Sequence, residues 1–253
     1  METEELLKKR LRDLAQKCYQ NNQYTFTSFL ALADVSCFYE IERELSYVPY
    51  TVWGGMDSAE RVMIRFGSAE QLGYTEDFPI VCLQIKPLAE KFADQLTHRD
   101  FLGALMNLGI ERSTLGDILI EDKTAYLFCV ESMTDFIIEN LVRVKHTTVL
   151  CKVVEEAPEL NSRDMQEVKI QASSERIDGV IAKVYKLSRS EAIELFRQKK
   201  IFVNGRLCEN NSQLLKQSDA VSVRGYGKFE FQGGMGISKK GKLNISILCY
   251  GKR

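Results

Sequence analysis

Between Phe78 and Val154 the apolar pattern alternates between the period of a strand and that of a helix, and the order of those changes restricts the fold to a few arrangements. FPIVCLQI is a short continuous apolar run and reads as a buried strand. Thr97 follows as a helix cap, with Asp100 three residues on as in a capping box. Gly109 closes that helix after Phe101, Leu102, Leu105, Met106 and Leu108. DILIE and TAYLFCV read as two strands joined by a tight turn near Asp122. SMTDFIIENLVRV supplies a second helix and TTVLCKVV a last strand. The stretch is therefore read as β-α-β-β-α-β.

That order is the one found in ferredoxin-like and RRM-like folds, and it places the chain in the α+β class. It specifies a fold and leaves function open. Before it, residues 2–20 carry Leu6, Leu7, Leu11, Leu14 and Ala15 at helical spacing. A second helix is expected from Thr27 to Leu45. Pro49 to Trp53 and Arg61 to Phe66 read as strands on either side of GGMDSAE, where Gly54 and Gly55 supply the turn. The expected organisation is an N-terminal helical and hairpin region (1–75), an RRM-like domain (76–156), a polar acidic linker (157–173) and a basic C-terminal domain with a β-hairpin extension (174–253).

Length and composition fit this plan. The chain has 253 residues, 45% of them hydrophobic, enough for more than one core. Its start, METEELLKKRLRDL, has no apolar signal region, and no window has the apolar run of a membrane span. A cytoplasmic protein without membrane contact is expected. The seven cysteines are scattered without a CxxC pair, most of them inside apolar runs such as IVCLQI and SILCY. They read as buried thiols, with no metal site and no cofactor expected.

The net charge of −1 conceals two opposed parts. Residues 174–253 hold 16 Lys and Arg against 7 Asp and Glu, a net of +9, whereas the rest hold 18 against 28, a net of −10. A compact positive end on a negative body concentrates phosphate affinity in one place.

Within that end, Ser188 and Glu191 form a cap and capping-box pair that starts a helix running to Arg197. Ala192, Ile193, Leu195 and Phe196 face inward along it. Asn204-Gly205, between Phe202-Val203 and Arg206-Leu207, is a strong hairpin signal. Arg189, Arg197, Lys199, Lys200 and Arg206 are thereby expected to project together. Rigidly held cations at close spacing suit phosphates, and arginine adds a bidentate fork. A charged run of this kind is more commonly only a solvated face.

Residue order adds to this. Arg176-Ile177-Asp178, Ser188-Arg189-Ser190-Glu191-Ala192, Val203-Asn204-Gly205-Arg206 and Asp219-Ala220-Val221-Ser222-Val223 together resemble the S-four domain, the alpha-L RNA-binding motif. The resemblance implies that Arg176, Ser188, Arg189, Arg197, Lys200, Asn204 and Arg206 meet structured RNA. Lys199, Arg224 and Lys228 join them as basic neighbours. Lys199 stands where such domains commonly have glycine, so a left-handed backbone there would cost roughly 1 kcal/mol. Further, GGMDSAERVMIRFG, THRDFLGALMNLGIERSTLGDILIE and RGYGKFEFQGGMGISKKGK resemble the three signature stretches of the YlmH family of bacterial S-four proteins. That resemblance implies a cytoplasmic, noncatalytic RNA-binding protein. Its partners would be ribosomal RNA of the large subunit, with tRNA nearby, and no DNA; its setting would be ribosome rescue or quality control. The alternatives are an RNA-modifying enzyme anchored by an S-four module and a protein-binding scaffold linked to cell division.

Other features point elsewhere with less support. Gly236 to Lys242 has Walker A spacing, but Leu243 stands where Ser or Thr should hold magnesium, and LNISILCY reads as a strand. Lys239, Lys240 and Lys242 then sit on a hairpin turn and could form a second RNA or partner surface, as could His98, Arg99 and Arg112. His98 and Asp100 lie too close together on one helix to face each other as an acid-base pair, and no catalytic residue is expected. Tyr126 and Phe128 alternate like a base-stacking platform, yet the strand lacks the RRM signature and they are read as core.

Overall fold

A computed structural model describes residues 4–155, 165–238 and 241–250. The chain divides into two compact units, Met1–Pro158 and Glu159–Arg253, both of mixed helix and sheet.

In the first unit, α1 (Glu4–Asn21) buries Leu7, Leu11, Ala15 and Cys18, a stripe spaced by one helical turn. After β1 (Thr25–Phe26) comes α2 (Leu32–Ile41), which runs on through a 3-10 turn to Leu45. The helix begins five residues later than the expected Thr27, because the intervening chain belongs to a sheet. Thr25 and Phe26 pair with β3 (Met63–Phe66), the Thr27 hydroxyl accepts the Ile64 N–H at 2.9 Å, and Leu30 bridges to Val62. With β2 (Tyr50–Trp53) these strands form an antiparallel sheet ordered β1-β3-β2. A short helix, α3 (Ala69–Leu72), follows.

The next elements are β4 (Ile80–Pro87), α4 (His98–Asn107), β5 (Leu115–Glu121), β6 (Thr124–Val130), α5 (Thr134–Asn140), β7 (Arg143–Val144) and β8 (Thr147–Val154). The β-α-β-β-α-β order is present, with the short β7 added at one edge of a sheet ordered β5-β6-β4-β8-β7. Thr97 and Asp100 form the expected capping box, and Asp122 takes the left-handed conformation at the β5–β6 turn. Ala125, Leu127 and Cys129 of β6 face the core beneath α4 and α5. Tyr126 and Phe128 point the other way and are still buried, at 8% and 2% exposure. Gly55, at φ +93°, presses on Phe128 so closely that a Cβ there would lie 2.3 Å from the ring. These aromatics are therefore packing residues and offer no ring face to a base.

The second unit contains β9 (Met165–Ala172), α6 (Ile177–Val184), α7 (Arg189–Arg197), β10 (Ile201–Val203), β11 (Arg206–Leu207), β12 (Asp219–Val223), β13 (Gly227–Ile237) and β14 (Leu243–Tyr250). Its antiparallel sheet runs β11-β10-β12-β13-β14-β9. Ile177, Val180, Ile181 and Val184 of α6 and Ala192, Leu195 and Phe196 of α7 share one core with Val221, Phe229, Ile245 and Ile247 of the sheet.

This sheet corrects the expected linker 157–173. Met165–Ala172 is a strand, in continuous register with β14 from Met165↔Tyr250 to Ala172↔Leu243. Within it VKIQA alternates apolar and polar residues, and Val168, Ile170 and Ala172 turn onto the core. The rest of that expected linker up to Asp164 lies outside the described residues. All seven cysteines are buried. Burial pushes the Cys129 thiol up to about 12 and those of Cys82 and Cys151 up to about 11. No helix among the described residues is long and apolar enough to cross a membrane.

Candidate nucleic-acid interface

Asp178 is the residue around which the basic surface is built. It follows Ile177, whose side chain enters the core, and the turn of α6 carries its own carboxylate inward until it is 1% exposed. The segment 211–215 crosses the start of the helix and fixes it: Ile177 N–H donates to Gln213 O at 2.9 Å, and Leu215 N–H to Glu175 O at 3.0 Å. A carboxylate buried this deeply needs partners. Arg176 supplies two hydrogen bonds, Nε to Oδ1 at 3.2 Å and Nη2 to Oδ2 at 2.9 Å. Gly179 N–H donates to Oδ1 at 2.8 Å, and Arg189 Nη2 to Oδ2 at 3.3 Å. Burial by itself would raise the Asp178 pKa. The bonds from Arg176, Gly179 and Arg189 outweigh it and hold the carboxyl below its ordinary range.

The two arginines come from different helices. Arg176 occupies the cap position of α6, and Arg189 opens α7 directly after its cap, Ser188. Their side chains remain 36% and 68% exposed although both rest on a buried anion. The Ser188 hydroxyl accepts the Glu191 N–H at 3.2 Å, and Glu191 accepts the Ser188 N–H at 2.7 Å. That expected capping box sets the angle at which Arg189 leaves the helix, and it occupies the Ser188 hydroxyl with the Glu191 N–H on one side and the Ser190 hydroxyl, 3.0 Å away, on the other.

At the other end of α7, Arg197 is 75% exposed beside Glu194, and Lys199 lies 3.7 Å from Glu209. Lys199 has φ 53°, so the left-handed turn that commonly carries glycine is kept here with a side chain on it. Lys200 O accepts the Arg224 N–H at 2.9 Å, which joins the two residues where β10 and β12 pair. Asn204 and Gly205 both have positive φ, the geometry of a two-residue hairpin, with Val203 opposite Arg206 and Arg206 exposed at its base. Asn204 Nδ2 donates to Asp219 Oδ1 at 2.8 Å, and its Oδ1 accepts the Ala220 N–H at 2.9 Å. Its amide thus ties the hairpin to β12.

Lys228 departs from the expected cluster. It alternates with core-facing Phe229 and so lies on the sheet face away from α6 and α7, with its ammonium 5.2 Å from the Tyr250 ring centre. The Tyr250 hydroxyl donates to Glu230 at 3.0 Å. Burial, with Glu230 beside it, pushes the tyrosine up to about 12. Lys242 is exposed at the start of the turn into β14, and Lys239 and Lys240 lie outside the described residues.

The other expected surface is only partly one. Arg99 and His98 are exposed at the start of α4, although surrounding protein and the charge of Arg112 push the His98 pKa down. Arg112 is turned inward, contrary to expectation, with Nη1 donating to Leu115 O at 3.0 Å and Gly116 O at 3.1 Å. Burial and the neighbouring Arg61 charge lower its pKa to about 10. Arg61 makes a matching set of bonds, to Leu115 O at 2.8 Å, Arg112 O at 2.9 Å and Phe29 O at 3.2 Å. Asp117 returns the contact by accepting the Glu60 N–H at 2.7 Å and the Arg61 N–H at 3.3 Å. The stretches containing GGMDSAER and ERSTLGD are thereby latched to each other.

Sequence reasoning overlooked Asp178 as an organiser because an acid within a basic motif reads as a charge to be subtracted. Its one signal was position: Asp178 is the N2 residue of a helix whose next apolar positions are all core.

Residues 74–157 match the family model described as "Putative RNA-binding domain in YlmH". The chain is 27% identical over 199 residues to the "Ribosome-associated protein quality control protein P2" of Bacillus subtilis (strain 168), covering 77% of this chain and 75% of that protein. Among solved structures it is similar to the "Cell division protein ylmH from Streptococcus pneumoniae", at 20% identity and a TM-score of 0.47 over 58% of this chain and 88% of that one. The family-model match over residues 74–157 and the Bacillus relative agree with the resemblance to the YlmH family read from the three signature stretches.

Proposed function

We propose that this chain is a noncatalytic RNA-binding protein that associates with the ribosome. Its C-terminal unit, read as an S-four module, anchors it on ribosomal RNA of the large subunit, with peptidyl-tRNA nearby, in ribosome rescue or quality control. The unit 76–156 is read as RRM-like. The observation that carries the proposal is the cation set on α6, α7 and the β10–β11 hairpin, in which Arg176 and Arg189 are held on Asp178 and Arg197, Lys199, Lys200, Arg206 and Arg224 follow. The name of the Bacillus relative supports the ribosomal setting. The noncatalytic part is supported by the thiols, whose burial makes them poor nucleophiles. Backbone and shape should dominate recognition, since paired RNA hides its base edges in a deep groove.

Sedimentation of the full chain through a sucrose gradient with purified large ribosomal subunits tests the reading. Cosedimentation is expected at low salt, and it should be lost in the double variant R189A/R206A, with circular dichroism establishing that the variant is folded. Neutralising about five phosphates gives a slope of log K against log salt of about −3.5 to −4.5. Absence of association at low salt, or recovery of a partner that survives RNase, would favour a protein-binding role instead.

A further inference from the structure

We infer that Asp178 is a positioning residue for RNA: its buried carboxylate orients Arg176 and Arg189 as one paired clamp on the phosphate backbone, so that neutralising this anion weakens RNA binding. The inference rests on the RNA-binding reading above and deepens it.

The geometry is particular. Four N–H groups converge on Asp178, two from Arg176 and one each from Gly179 and Arg189, which saturates a carboxylate with about four acceptor sites. The terminal nitrogens of both arginines meet on the same oxygen, Oδ2. Two guanidiniums that would otherwise repel are therefore held side by side, Arg176 through its Nε–Nη2 edge and Arg189 through Nη2 alone. Each guanidinium has five donors, so both keep N–H groups for a second acceptor on the solvent side. A phosphate oxygen is such an acceptor, and the fork geometry of arginine suits it.

Long side chains lose rotamer freedom on binding, and a clamp oriented beforehand avoids much of that loss. Arg189 gains the most, because at 68% exposure it has few packing contacts to hold it. Arg197 is the contrast: its partner Glu194 is itself 48% exposed and imposes little order.

Simple charge counting predicts the opposite outcome. Removing a negative charge from an RNA-facing surface should tighten binding and steepen its salt dependence. The two accounts differ in sign and can be separated in one series. Binding of the full chain to purified large ribosomal subunits would be measured against salt for the natural sequence, D178N, R189A, the double variant D178N/R189A, and E194Q as a control that neutralises an exposed acid. Circular dichroism would establish that each variant is folded.

The expected result is a loss of about tenfold for D178N, a coupling within the usual range for residues in one network. E194Q should leave affinity equal or slightly higher. R189A should cost less in the D178N background than alone, a non-additivity that a purely structural role for Asp178 would not produce. D178N binding as tightly as the natural sequence or more tightly, or full additivity with R189A, would overturn the inference and leave the RNA-binding reading intact. No binding by the natural sequence would overturn both. Should D178N fail to fold, R189K carries the test, because it preserves charge at an exposed position and removes the fork. The clamp predicts a loss of at least about threefold, of the order seen when a charge-assisted hydrogen bond is weakened, and unchanged affinity would refute it.

Discussion

The behaviour of Asp178 in acid follows from where it sits. Its folded pKa lies below the ordinary 3.8, so in the acid range the unfolded chain binds the proton that the folded chain refuses. The associated stability is fully present above about pH 4 and is lost as pH falls through the folded value. Urea unfolding followed by far-ultraviolet circular dichroism should show the transition of the C-terminal unit moving to lower urea below about pH 4, with a shallower acid loss in D178N. Equal acid profiles would mean that the carboxylate is not coupled to folding. Lys199 offers a second test at this scale. A lysine at φ 53° is strained, and its partner Glu209 is 67% exposed and contributes little. Lys199→Gly should therefore raise stability by up to about 1 kcal/mol. If Lys199 meets a phosphate, the same change should flatten the salt slope by just under one unit. Stability was partly legible at this position from the sequence, since lysine stands where related domains carry glycine. The anchoring of two arginines on one acid was not legible, because it depends on a convergence of two helices that no local pattern encodes.

Among the elements, those with strong local signals were readable and those defined by distant pairing were not. The capping boxes at Thr97 and Ser188 and the Asn204-Gly205 hairpin depend on residues within three positions of one another, and all occur as expected. β9 is different. Its eight residues gain their role only from β14, more than seventy positions away, and the acidic, proline-containing stretch before it drew the whole region into a linker. β1 was likewise hidden, because two residues cannot show a period and their partners lie in β3. The latch between the two N-terminal signature stretches is a third case. Arg61 reads as a strand residue and Arg112 as surface, yet both turn onto main-chain carbonyl groups at the start of β5, sharing that of Leu115. Arg61→Met keeps much of the apolar stem and strips three carbonyl oxygens of a donor. It should destabilise the first unit by about 2–4 kcal/mol, as expected for breaking a buried charged network. The urea midpoint of that unit measures it, and a change under about 0.5 kcal/mol would mean that water replaces the guanidinium without loss.

For the whole molecule the division of charge now coincides with the division of structure. The unit 159–253 carries 18 Lys and Arg against 10 Asp and Glu, and residues 1–158 carry 16 against 25. The C-terminal core is drawn wholly from residues between Val168 and Cys249, whereas the other two cores lie between Leu7 and Cys151, so each unit has the apolar interior needed to fold by itself. A cut after Pro158 respects the β9–β14 pairing, which a cut within 165–172 would destroy. If the basic unit is the anchor, the isolated 159–253 fragment should bind large subunits with nearly the salt slope of the full chain, and 1–158, which holds the stretch matching the putative RNA-binding domain, should bind more weakly and with a shallower slope. The acidic unit then has an electrostatic part in selectivity. A net charge of −9 on the same chain repels polyanion at distances up to the screening length, about 10 Å at 0.1 M salt, and this penalises RNA that makes only loose phosphate contacts. An RNA that also fits the paired arginines offsets that penalty. Competition with an unrelated RNA duplex should therefore displace the 159–253 fragment from large subunits more readily than it displaces the full chain, with the difference shrinking as salt rises. Equal displacement at every salt concentration would place selectivity in the basic unit alone, and a difference that persists in high salt would point to direct RNA contacts made by residues 1–158.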